Sequence, residues 1–346
     1  MRTLSALLRD DLDPARRRLL AASLYSLTAL ALPTLPGPAG PHPAGLAAAT
    51  DAPLRARIEQ MDTMARHFAD AAKTYGGGAV RSALAGYLNR PVAGWVHTPA
   101  LDPVHRQLLA GAARLTLLLG TMTADDGEDA LAQRYHHSAA RMAANADDPA
   151  GYAIALRTMA AHASDLGHHT RAVLHLSEHA ADAARRSARP VRAYTQAHLA
   201  TAAASHDRHA ALTALGAAER LHERADHTHG PFTAYPLAAL HYRRGQTLSI
   251  LGDTPGAIGA YTAALRLRTP AERHARALTR AALAETLLTH GHLDTALAQW
   301  ARFLDEVPHL HSARATRRLT AMRQLLTPHG RHRPTALVLE RALLLR

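Results

Sequence analysis

"GDTPGAIGAYTAALRLRTP", residues 252–270, and "GHLDTALAQWARFLDEVP", residues 291–308, carry the same punctuation. With Gly252 set on Gly291, Ala257 meets Ala296, Tyr261 meets Trp300, Ala264 meets Phe303, and Pro270 falls beside Pro308. Each glycine follows a helical stretch, "LAALHYRRGQTLSIL" (237–251) or "ALTRAALAETLLTH" (277–290), so each unit reads as a pair of helices. The glycine supplies the positive φ of a helix C-terminal cap, and the small residue after it lets the second helix close on the first. The aromatic fills the space between neighbouring units, and the proline stops the second helix.

The template recurs upstream at Gly167 with Ala172 and at Gly127 with Ala132 and Ala139; "HDRHAALTALGAAERL" (206–221) fits through Ala211 and Ala218 without the glycine. Degenerate units flank these, one with Gly78, Ala83 and Tyr87, the other with Gly330 and Ala342, as expected where a terminal repeat turns one face to solvent. The order Gly, Ala, aromatic, Ala, Pro is similar to the tetratricopeptide repeat (TPR), with a period of about 39 to 46 residues rather than about 34. The expected fold is all-α: a TPR-like right-handed superhelix, an α-solenoid of about five to seven helical hairpins.

Composition agrees. Apolar residues make up 47% of the 346-residue chain but aromatics only 4%, and the Ala and Leu that dominate favour close-packed helices. The absence of cysteine excludes disulfides, thiolate metal sites and a cysteine nucleophile. The net charge of +12 rests on arginine, Lys73 being the only lysine, a balance that permits anionic partners and also follows from a high-GC coding bias.

Residues 1–50 read as an N-terminal helix and a Pro/Gly-rich linker (33–43), ahead of a repeat domain at 51–346 whose first helix opens at Asp51 and Pro53. Arg16 to Arg18, the uncharged run Leu19 to Leu35 and Ala47 to Ala49 also have the layout of a Tat-type export signal. Asp10, Asp11 and Asp13 before the arginines, and the amphipathic Leu4, Leu7, Leu8 and Leu12, favour a cytoplasmic helix. The run is too short for a membrane span.

"MDTMARHFADAAKTYGGGAVRSALAGYL" (61–88) and "LLLGTMTADDGEDALAQRYHHSAARMAANADDPAGYAIALRTMAAHASDLGH" (117–168) resemble the sensory region of actinobacterial XRE-type helix-turn-helix regulators with tetratricopeptide repeats. "LLRDDLDPARRRLLAASLYSLTALALP" (7–33) resembles the segment that joins the DNA-binding domain to the repeats in that family. The resemblance implies a regulatory sensor. No stretch before residue 51 has the form of a helix-turn-helix, so DNA contact is expected only indirectly or through a missing N-terminal domain, as in a regulator whose true start lies upstream. A Tat-exported scaffold is the alternative.

In a TPR-like superhelix the first helix of each hairpin lines the concave groove. That register puts Arg114, Arg157, Gln196, Tyr242, Gln246 and Glu285 there, with Leu117 and Ser164. Arginines suit a carboxylate, glutamines a peptide backbone, and a tyrosine offers a face with a polar tip, so the expected ligand is a peptide or protein partner. No catalytic motif, phosphate loop or cofactor signature is present. The pairs His175 with His179, His227 with His229, and His136 with His137 lack a completing carboxylate motif, and no metal is expected. "YGGGAV" (75–80) reads as a flexible turn that could alternatively cradle an anion. Arg185, Arg186 and Arg189, and Arg314, Arg317 and Arg318, read as solvated or cap-compensating patches.

Overall fold

A computed structural model describes residues 2–21, 25–30, 51–225 and 234–345, and these are all-helical, with no strand among them. Residues 33–43, Ala47 to Ala49, and His227 with His229 lie outside the described residues. Two short helices, α1 (Arg2–Leu12) and α2 (Pro14–Ala21), precede α3 (Asp51–Tyr75). A 3-10 turn (Gly77–Ala79), α4 (Arg81–Tyr87), a π-helical turn at Leu88–Val92 holding Pro91, and α5 (Ala93–His97) follow. Five hairpins come next: α6 (Asp102–Asp125) with α7 (Asp129–Asn145), α8 (Pro149–Asp165) with α9 (Arg171–Ala183), α10 (Arg189–Ala203) with α11 (Arg208–Glu223), α12 (Leu237–Ile250) with α13 (Thr254–Leu267), and α14 (Arg273–Thr289) with α15 (Leu293–Glu306). The last helices are α16 (Ala313–Leu326) and α17 (Arg333–Leu343).

Local chemistry sets these boundaries. Gly127, Gly167, Gly252 and Gly291 all have φ between 80° and 86°, the left-handed turn that ends the first arm of a hairpin. The α10–α11 hairpin turns without one and starts its second arm on Asp207, whose carboxylate accepts from the Ala210 N–H; Asp148, Asp253 and Ser312 cap α8, α13 and α16 in the same way. Ala257, Ala296, Ala264, Phe303 and Trp300 are fully buried, and Tyr261 nearly so. Close approach of α12 to α13 depends on Gly245, because a Cβ there would lie 2.6 Å from the Tyr261 ring.

The first arms α6, α8, α10, α12, α14 and α16 each touch the next, and α16 also touches α6. They therefore form a closed circuit of neighbours rather than an open row. Asp125, at the end of α6, closes it: its carboxylate accepts from the Gly77 N–H (3.0 Å), the Ser312 hydroxyl (3.1 Å) and Arg314 Nε (3.1 Å). Backbone bonds from the His311 N–H to the Tyr75 carbonyl (2.7 Å) and from the Gly78 N–H to the His311 carbonyl (3.2 Å) join the same two ends, and α3 packs on α14. The "YGGGAV" stretch is thus a built joint, not a loose turn. The anion it holds is the protein's own carboxylate.

Helices α1 and α2 pack on α4 and α7, with Leu4 and Leu8 in the core. Asp11, also buried, accepts from Arg81 Nη2 (2.5 Å) and the Tyr135 hydroxyl (2.6 Å). Past α2, Ser26 and Gln133 exchange two hydrogen bonds, and Leu30 joins the α8 core. Among the described residues no helix is long and apolar enough to cross a membrane.

Candidate functional site

The circuit of first arms surrounds two adjoining cavities. The first, of about 290 Å³, is walled by α6 (Thr121, Ala124), α8 (Arg157, Asp165), α10 (Tyr194), α12 (Tyr242, Arg243), α14 (His274) and α16 (Arg314), with Tyr235 and Arg268 from the connections. The second, of about 610 Å³, shares Asp165, Tyr242, Arg243, Leu278 and Arg314 with it and adds Gln246, Glu285, Arg317 and Arg318. Tyr242 and Arg243 stand where the two meet.

Of the residues expected in the groove, Arg157 lines the first cavity, Tyr242 both, and Gln246 and Glu285 the second. Arg114 does not reach them. Its guanidinium bonds Asp62 Oδ1 of α3 at 2.7 Å, because α3 covers the face of α6 that the repeat register assigns to the groove. Gln196 is half-buried on α10 and lines neither cavity; Tyr194, two residues earlier, takes that place. The arginines of α16 are no solvated patch either: Arg314 bonds Asp125 and Asp165, Arg318 bonds Glu285 (2.5 Å), and Arg317 lies 3.7 Å from Asp129. Arg185 does pair locally, with Asp182, and His175 with Glu178.

The first cavity is cationic. Arg268 is paired with Glu272 (3.1 Å), and Arg314 with Asp125 and Asp165. Arg157 is only 7% exposed, its guanidinium lies 4.0 Å over the Tyr194 ring, and its Nε has no hydrogen-bond partner. Burial, with help from Arg243, pushes its pKa down to about 10, so it remains charged at neutral pH. Arg243 bonds Gln246 Oε1 (2.8 Å). Among the described residues neither Arg157 nor Arg243 has a carboxylate within ion-pair distance.

Histidines line the same space in neutral form. His274 is held down at about 4, chiefly by burial, against the opposing pull of Asp125. Its Nε2 faces the Ser312 hydroxyl at 2.9 Å; that hydroxyl gives its one proton to Asp125, so Nε2 is the donor. Burial also holds His136, in the wall, and His198, four residues after Tyr194 on α10, well below the usual range, with His162 adding to the effect at the first and Arg157 at the second. Neither ring nitrogen of His136 or of His198 has a hydrogen-bond partner.

These three groups fix the sign of an acid response. The unfolded chain protonates each near pH 6.5 while the folded protein does not, so stability is full above that pH and falls as pH drops toward about 4. At pH 5 His274 alone removes about 2 kcal/mol, and His136 and His198 act in the same direction. Glu285, whose pKa burial raises, works weakly in the opposite direction. Urea titrations should show the unfolding midpoint dropping steadily from pH 7.5 to 5; a midpoint unchanged over that range would contradict neutral buried histidines.

No protein-family model matches the chain, and no curated protein matches it.

Proposed function

We propose that the hairpins form a TPR-like right-handed superhelix wound tightly enough for its last turn to meet its first, and that the enclosed space is a ligand site. The protein is then a non-enzymatic sensor that binds a peptide, or a peptide segment of a protein partner, in transcriptional or signalling regulation. DNA contact, if the regulator likeness extends to it, would be indirect. One observation carries the reading: six successive first arms converge on two joined cavities that bear Arg157, Tyr242, Gln246 and Glu285. Volumes of this order, with a few polar groups on mixed walls, suit a small ligand or a short extended segment rather than a folded domain. Because Asp125, Ser312 and Arg314 tie the two ends together at the cavity wall, ligand contact with Arg314 would bias how tightly the circuit closes.

The test is affinity capture from the native host's lysate with wild type and with Tyr242→Ala/Gln246→Ala, followed by mass spectrometry. The expected result is a peptide or protein retained by wild type and lost from the double variant. An identical captured set would remove the cavity from the account.

A further inference from the structure

Resting on the reading of the cavities as a ligand site, we propose that the first cavity is a seat for a phosphate monoester, held between Arg157 and Arg243, with the rest of the ligand passing Tyr242 into the second cavity. Four guanidiniums face this space against one carboxylate, Asp165. Arg268 is paired with Glu272 and Arg314 with both Asp125 and Asp165, which leaves Arg157 and Arg243 with no carboxylate in contact among the described residues, and the four guanidiniums one positive charge ahead of these three carboxylates. Arg157 is more than nine-tenths buried, and its Nε has no partner. A buried, unneutralised charge is costly to maintain without a counter-ion, so this arrangement is complete only with an anion between the arms.

Two unpaired guanidiniums, rather than the net charge, select the class of anion. A carboxylate presents two acceptor oxygens to a single guanidinium fork, whereas a phosphate monoester offers three acceptor oxygens that two forks can share. The guanidiniums of Arg157 and Arg243 line this cavity, while Arg157 Nε, Arg268 Nε and the Tyr235 hydroxyl are unpaired but covered within its wall. Space matches as well, since about 290 Å³ holds a phosphate and a small organic fragment, while the larger cavity of about 610 Å³ begins at Tyr242 and Arg243. The aromatic faces of Tyr194 and Tyr242 suit that organic part.

Isothermal titration at pH 7.5 and constant ionic strength provides the test, with inorganic phosphate, acetate, phenyl phosphate and a phosphoserine heptapeptide as probes. Inorganic phosphate should bind with one-to-one stoichiometry and acetate at least tenfold more weakly. Arg157→Gln and Arg243→Gln should each weaken phosphate by tenfold or more. Arg243 is only half-buried, so its variant keeps the test sound if Arg157→Gln fails to fold. Phenyl phosphate binding tighter than the heptapeptide assigns a small ester, and the reverse order assigns a phosphorylated peptide; either carries the seat. Acetate equal to phosphate, no phosphate binding, or unchanged affinity in Arg243→Gln would overturn it. Capture that depends on Tyr242 and Gln246 would then still stand, which separates failure of the seat from failure of the ligand site.

Discussion

Replacing Asp125 by alanine is expected to lower unfolding stability by about 3–5 kcal/mol, because it removes the acceptor that joins the 3-10 turn at Gly77–Ala79 and α16 to α6. The Gly77 N–H, the Ser312 hydroxyl and Arg314 Nε all lose their partner, and the Gly77 group is buried. Arg314 keeps Asp165 at 2.9 Å, which limits the loss on that side. Asp125→Asn should recover only part, since it keeps an acceptor oxygen but loses the charge facing Arg314. The carboxylate is itself held below the usual range: burial alone would raise it, and Arg314, His274, the Gly77 N–H and the Ser312 hydroxyl together outweigh burial. Its contribution is therefore present above the ordinary aspartate range and vanishes only in strong acid. Urea unfolding measures the loss, and hydrogen exchange should quicken in residues 75–80 and 312–326. A loss below about 1 kcal/mol would mean that Asp125 does not hold the ends together.

Asp11→Ala should destabilise by a similar amount, about 3–5 kcal/mol, through a different mechanism. Arg81 is 2% exposed and gives its Nη2 to Asp11 and its Nε to Thr123. Without Asp11 the nearest carboxylate is Asp126, at 3.7 Å from Nε, and the Tyr135 hydroxyl also loses its acceptor. The cost is that of a stranded buried cation, so removing both charges should hurt less than removing one. Asp11→Leu/Arg81→Met is expected to recover at least half of the loss in urea unfolding. An Asp11→Ala protein as stable as wild type would show that α1 contributes nothing to the fold, despite the burial of Leu4 and Leu8.

The hairpins could be read from the chain because their signals are local. Gly252 and Gly291 end a helix by backbone conformation alone, and Ala257, Tyr261, Trp300 and Phe303 pack within a hairpin or against the next one. Closure of the circuit could not be read, since it depends on Gly77, Asp125 and Ser312 meeting across most of the chain, with no periodic signature. The same limit explains the site. Arg114 has the right register, but α3, which the repeat pattern does not position, covers it. Arg314 reads as part of a solvated patch because its carboxylate partners, Asp125 and Asp165, are 189 and 149 residues away along the chain. Arg243 sits one residue beyond the groove position held by Tyr242, yet both reach the cavity because the closed circuit wraps around more of α12 than an open groove would.

The central claim, that ligand is held inside the circuit of first arms, is tested most directly by hydrogen exchange on the protein with and without the ligand captured by wild type. Slowed exchange is predicted in α8, α12, α14 and α16, with α9, α11, α13 and α15 unchanged. Slowing confined to those second arms would contradict it.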